Sequence, residues 1–218
     1  MISLPAIATT ATAPSRKRVR KEPGPFLRGQ RARIGARDSE PGAPAFLHAL
    51  LRQVEPFPAA VLSARWDILA FNRSYDALFT LESVPARNRN AIFLYFAAAS
   101  QRDLWPDWAD DAPRVVSQVR AAMARHETDP EWLTLLERLR RASPDFGRMW
   151  QQASPGGYGN PPERFRHPVA GALRLARFQL WAEPREDGLV AAGYTPADAA
   201  TAAKLPRLQA LSTLPPQA

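Results

Sequence analysis

The chain has 218 residues, of which 45% are hydrophobic and 9% aromatic, enough to bury one core of domain size. It contains no cysteine, which excludes disulfides, thiolate nucleophiles and thiolate metal sites and fits a reducing, cytoplasmic setting. The net charge of +8 is uneven: residues 1–40 hold nine Arg and Lys against three acids, and the other 178 residues hold 20 against 18, so the basic character belongs to the N-terminal segment.

Residues 1–23 lack periodicity, and the basic cluster RKRVRK follows the weakly apolar stretch, whereas a secretory signal places its positive charge first. No apolar run approaches the length of a membrane-spanning helix, so no membrane partner is expected. Residues 25–44 begin like a short basic helix and end in Gly and Pro punctuation, which puts a domain boundary at 44. The expectation for 1–44 is a disordered basic tail. Its Arg16, Lys17, Arg18, Arg20, Lys21, Arg28, Arg31 and Arg33 are candidate nucleic-acid contacts, of a kind that is electrostatic and blind to sequence.

From residue 45 the spacing becomes regular. Phe46, Leu47, Leu50, Leu51 and Val54 predict an amphipathic helix, ended by Pro56 and Pro58. AAVLSARWDILAFN (59–72) predicts a hairpin, and Asn72 caps a following helix with Tyr75, Leu78 and Phe79 on one face. Residues 88–150 predict helices throughout. One carries Ile92, Phe93 and Phe96, and one starts at Asp110 and Asp111 with Pro113 in its first turn. Asp129 and Pro130 start the next, and Ser143 and Pro144 start the last, which holds Phe146 and Trp150 one turn apart. After a loop at 154–163, strand character returns. Leu173 and Leu175 alternate in one phase and Phe178 and Leu180 in the other, which a bulge near Ala176 would reconcile. A turn over Pro184–Gly188 leads to a strand ending at Tyr194, and 197–218 is expected to fray.

Catalytic patterns are missing: there is no G-x-G-x-x-G, G-x-x-x-x-G-K-[ST], H-E-x-x-H or G-x-S-x-G. Gly156, Gly157 and Gly159 lack the strand-to-helix setting of a phosphate loop, and His126, Glu127 and Asp129 fit a helix junction better than a metal site. His167 is the histidine to watch, with a hydrogen-bonded structural role favoured over acid–base chemistry. No enzyme, metal or cofactor is expected. Many aromatics with few placed polar groups suit a small-molecule pocket. Phe71, Asn72, Tyr75, Phe96, Arg120, Phe146, Trp150 and His167 are its candidate residues.

Five stretches in order carry a resemblance: VLSARWDILAFNRSYDALF, ARNRNAIFLYF, LWPDWADDAPRVVSQVRAAMARHETDP, LERLRRASPDFGRMW and RFRHPVAGALRL. Together, over about residues 45–196, they resemble the MmyB-like ligand-binding domain of bacterial regulators of the Xre helix-turn-helix type. The resemblance implies an α+β, PAS-like fold, with a small antiparallel sheet and a helical layer over an apolar pocket. It also implies a fatty-acid-like effector and a homodimer, or a heterodimer with an intact relative. Ser143, Phe146 and Trp150 match the family's Ser-x-x-Phe-x-x-x-Trp pattern, which would lay both rings against the sheet side of the pocket. Two departures stand out. The family's His shortly after that Trp is replaced by QQASPG, and only Gly35 to Pro44 separates a first-helix-like PFLRGQRARI from the ligand domain. Ten residues cannot supply a recognition helix and its supports, so a regulatory domain without sequence-specific DNA reading is expected.

Overall fold

A computed structural model describes residues 43–124, 126–152, 161–181, 188–212 and 214. The eight nucleic-acid candidates between Arg16 and Arg33 and the Gly156–Gly159 loop lie outside the described residues. Among the described residues no helix is long and apolar enough to cross a membrane.

Helix α1 (Ala45–Gln53) is followed by the expected hairpin of β1 (Ala59–Leu62) and β2 (Ile68–Phe71), and then by α2 (Arg73–Phe79). Ser63 Oγ closes the hairpin turn by accepting from the Arg65 and Asp67 amides, and Trp66 takes a left-handed φ of 62° within it. A bulky residue rarely adopts that conformation, so the surrounding bonds must hold it; among them the Trp66 carbonyl accepts from the Ala91 amide at 2.9 Å.

The helical stretch contains α3 (Ala91–Ala97), α4 (Ala99–Arg102), α5 (Trp108–Met123), α6 (Pro130–Ala142) and α7 (Pro144–Gln152). Capping follows the sequence signals. Asp129 accepts from the Glu131 amide at 2.8 Å, and Ser143 Oγ accepts from the Phe146 amide at 3.2 Å. Helix α5 starts two residues before Asp110, at Trp108, whose indole Nε1 donates to the Tyr95 carbonyl at 3.0 Å.

Strands β3 (Glu163–His167), β4 (Gly171–Trp181) and β5 (Val190–Pro196) complete a five-stranded antiparallel sheet of order β2-β1-β5-β4-β3. This is the α+β, PAS-like architecture. Helix α1 covers one face, packing Leu47 and Leu51 on Ala59, Val61, Ala70 and Phe178. Gly193 is required there, because a Cβ would meet the Pro58 carbonyl at 2.6 Å and the Phe178 ring at 2.7 Å. The other face carries α2 and the helical layer.

Two expectations are corrected. No bulge occurs at Ala176: β4 pairs with β5 in unbroken register from Leu175 to Trp181. Leu173 and Leu175 share the inner face with Arg177 and Gln179, and Phe178 is apolar because it meets α1 on the outer one. Residues 197–218 are not all a frayed tail either. Asp198 caps α8 (Ala199–Ala202), and α9 (Leu205–Gln209) buries Leu205 and Leu208 in the main core.

Candidate functional site

Between the inner face of the sheet and the helical layer lies a cavity of about 540 Å³, within the ~300–1,000 Å³ usual for small-molecule sites. The sheet supplies Leu62, Ile68, Arg177, Gln179, Val190, Ala192 and Tyr194, and Glu163 begins β3 at its edge. Tyr75 and Phe79 come from α2, Ile92, Leu94 and Tyr95 from α3, and Trp105 from the connection before α5.

Helix α5 contributes a stripe: Asp111, Arg114, Val115, Gln118, Ala121 and Ala122 all line the cavity at helical spacing. A second stripe of the same helix, Ala112, Val116 and Val119, is buried in the helical layer. One helix therefore divides a filled core from an open space.

Two groups of side chains give the cavity its chemistry. Trp66, His126 and Trp132 form an aromatic group, with Trp66 edge-on to Trp132 at 5.7 Å and His126 stacked on Trp132 at 5.3 Å. The polar group consists of Asp111, Arg114, Glu163 and Arg177 with the phenols of Tyr75, Tyr95 and Tyr194, close enough for their charges to act on one another. Arg114 pairs with Asp111 at 3.2 Å, and Arg177 with Glu163 at 3.5 Å. Burial pushes the Glu163 carboxyl above the usual carboxylate range, an effect that Arg177 and Arg114 oppose. Burial also raises all three phenols, which stay protonated. The Tyr95 hydroxyl is shut away from water with no hydrogen-bond partner among the described residues.

Of the eight residues nominated from the sequence, the structure brings only Tyr75 to the cavity. Asn72 is fully buried and fully used. Its Oδ1 accepts from the Ala59 and Tyr75 amides, and its Nδ2 donates to the Leu51 and Phe57 carbonyls. His167 is similarly committed. Its Nδ1 accepts from the Val169 and Ala170 amides, leaving Nε2–H to donate to the Ala77 carbonyl at 3.0 Å. Burial lowers its pKa, which favours this neutral form. Phe71 packs against the main core beneath the Arg89 guanidinium.

Phe96 and Phe146 meet edge-on at 5.0 Å in the helical layer. Trp150 stacks on Phe146, and Arg120 donates to the Trp150 carbonyl at 2.6 Å from above its ring. Helix α7 packs on α5 and α6, so Phe146 and Trp150 do not lie against the sheet side of the cavity, contrary to expectation.

The sequence reading missed most of the apolar wall and, more tellingly, its polar residues, among them Asp111, Arg114, Gln118, Glu163, Arg177 and Gln179. The available signal was the break in β4 alternation, where Arg177 and Gln179 occupy the inward phase set by Leu173 and Leu175. Residues 43–208 match the family model described as MmyB-like transcription regulator ligand binding domain. No curated protein matches the chain.

Proposed function

The chain belongs to the MmyB-like transcription regulator ligand-binding domain family, and from that premise we propose that its cavity senses an apolar, fatty-acid-like small molecule. The observation that carries this reading is the space itself. About 540 Å³ stands open beneath the sheet in a domain whose neighbouring helical layer is filled by interlocking rings. Leu62, Ile68, Leu94, Val115, Val190 and Ala192 would receive a hydrocarbon portion, and burying it would supply about 25 cal/mol for each Å² of apolar surface. The reading is of a binding module and not a catalyst, acting as a dimer with itself or with an intact relative.

A second, compatible proposal rests on the charge segregation. The excess of nine basic over three acidic residues within 1–40 favours weak, salt-sensitive contact with DNA phosphates.

Native mass spectrometry of the protein as purified from its expression host tests the main reading. The expected spectrum shows a small lipid-like adduct released on activation. A clean apo species that stays apo after exposure to lipid extract would count against a small-molecule sensor.

A further inference from the structure

The charges of the cavity wall bear on the head group of its occupant, an inference that rests on the small-molecule reading of the cavity. Four ionisable side chains of the polar group line the space, two of each sign, and each faces a partner from its own chain. Asp111 and Arg114 stand 3.2 Å apart on α5, and Glu163 and Arg177 stand 3.5 Å apart on adjacent strands. The second pair is well enclosed, its side chains 9% and 23% exposed. A third negative charge would enter a wall whose guanidiniums already face carboxylates, and a buried charge without its own counter-ion is costly.

The wall is instead well supplied with neutral hydrogen-bonding groups. Tyr75, Tyr95 and Tyr194 are protonated phenols, and Gln118 and Gln179 add amides. Tyr95 is 9% exposed, and its hydroxyl is buried and unpartnered among the described residues. We propose that, among fatty-acyl chains, the cavity selects an amphiphile whose head group is uncharged and accepts hydrogen bonds, of the amide, ester or ketone kind, over the free carboxylate, so that the fatty-acid-like reading holds for the hydrocarbon chain and not for the acid group. Glu163 sets this preference by keeping Arg177 neutralised. Arg177 and Arg114, Asp111, and the phenols of Tyr75, Tyr95 and Tyr194 are the charged and titratable groups around it.

Trp66, Trp105 and Trp132 line the cavity, so intrinsic fluorescence of the full chain reports on binding. Decanamide, methyl decanoate and decanoate form a matched series with one chain length. At about pH 7 the amide and ester should bind at least about tenfold more tightly than decanoate. In Glu163→Gln, Arg177 faces a neutral amide and decanoate should gain about tenfold, while decanamide changes by less than about threefold. Asp111→Asn repeats the test on the other pair and should move the ratio the same way, which covers a failure of the first variant to fold.

Wild-type protein that binds decanoate as tightly as decanamide overturns the proposal, as does a ratio that neither variant moves. If no member of the series binds the folded protein, the small-molecule reading falls with it. Binding of any member retains that reading, and the ratio alone decides the head-group preference.

Discussion

The rings of the helical layer and those around the cavity come from the same aromatic-rich composition, yet they are used in opposite ways. In the helical layer Phe96, Trp108, Phe146 and Trp150 touch one another at centroid distances from 5.0 to 5.9 Å. Arg102, Arg120 and Arg140 lie over the outer indoles, so the cluster is both filled and capped. Around the cavity the rings are chiefly Trp and Tyr, mixed with two ion pairs and two glutamines, and they enclose space. Aromatic density therefore does not mark the site. What marks it on the sheet is polar side chains in the inward phase of apolar neighbours, Glu163 with Phe165, and Arg177 and Gln179 with Leu173 and Leu175.

Cutting into the filled region should have the largest effect. Phe146 is fully buried, and Phe146→Ala should destabilise the domain by about 3–5 kcal/mol. Denaturant unfolding measures this, and the fraction that remains folded should bind ligand as the wild type does. A variant of near-normal stability that cannot bind would mean that the cavity's function extends under α7, and the contrast between the two regions would fail.

A smaller loss is expected at the hinge between the hairpin and α2. Asn72→Ala removes four hydrogen bonds and leaves the Ala59 and Tyr75 amides and the Leu51 and Phe57 carbonyls without it. Buried groups abandoned in this way put the cost at about 2–4 kcal/mol. If Asn72→Ala is well tolerated and binding suffers instead, Asn72 belongs with the cavity after all.

These positions also show which parts of the fold could be read in advance. The hairpin, the Asn72, Asp129 and Ser143 caps and the buried stripe of α2 were legible, because each is fixed by residues a few positions apart. The cavity was not. Asp111, Arg114 and Gln118 at helical spacing look like the solvated face of an amphipathic helix. Only β3 and β4 arriving opposite that face turn it into a wall. Arg177 and Gln179 were visible as a break in alternation, and a bulge was the local way to repair it. The physical explanation is non-local: a strand lining a wet pocket keeps its register and changes its polarity. The α8 and α9 segment was hidden for a similar reason, since Leu205 and Leu208 gain their burial from α2 and the sheet.

The two stripes of α5 allow the contrast to be tested within a single helix. Ala112 is fully buried in the helical layer, and Ala122 lines the cavity. Both substitutions to Phe add the same atoms to the same kind of backbone. At Ala112 no space is available, so neighbours must shift and the expected loss is about 1–3 kcal/mol. At Ala122 the ring has the cavity to enter, and stability should stay within about 1 kcal/mol of wild type because buried apolar area is gained without displaced atoms. Ligand binding should respond in the reverse order, falling at least about tenfold in Ala122→Phe and holding in the folded fraction of Ala112→Phe. Thermal unfolding and fluorescence titration of the two variants are sufficient. Equal destabilisation would mean that the cavity closes up in solution, and the polar residues of its wall would then have to be explained as a buried ion-pair network in their own right.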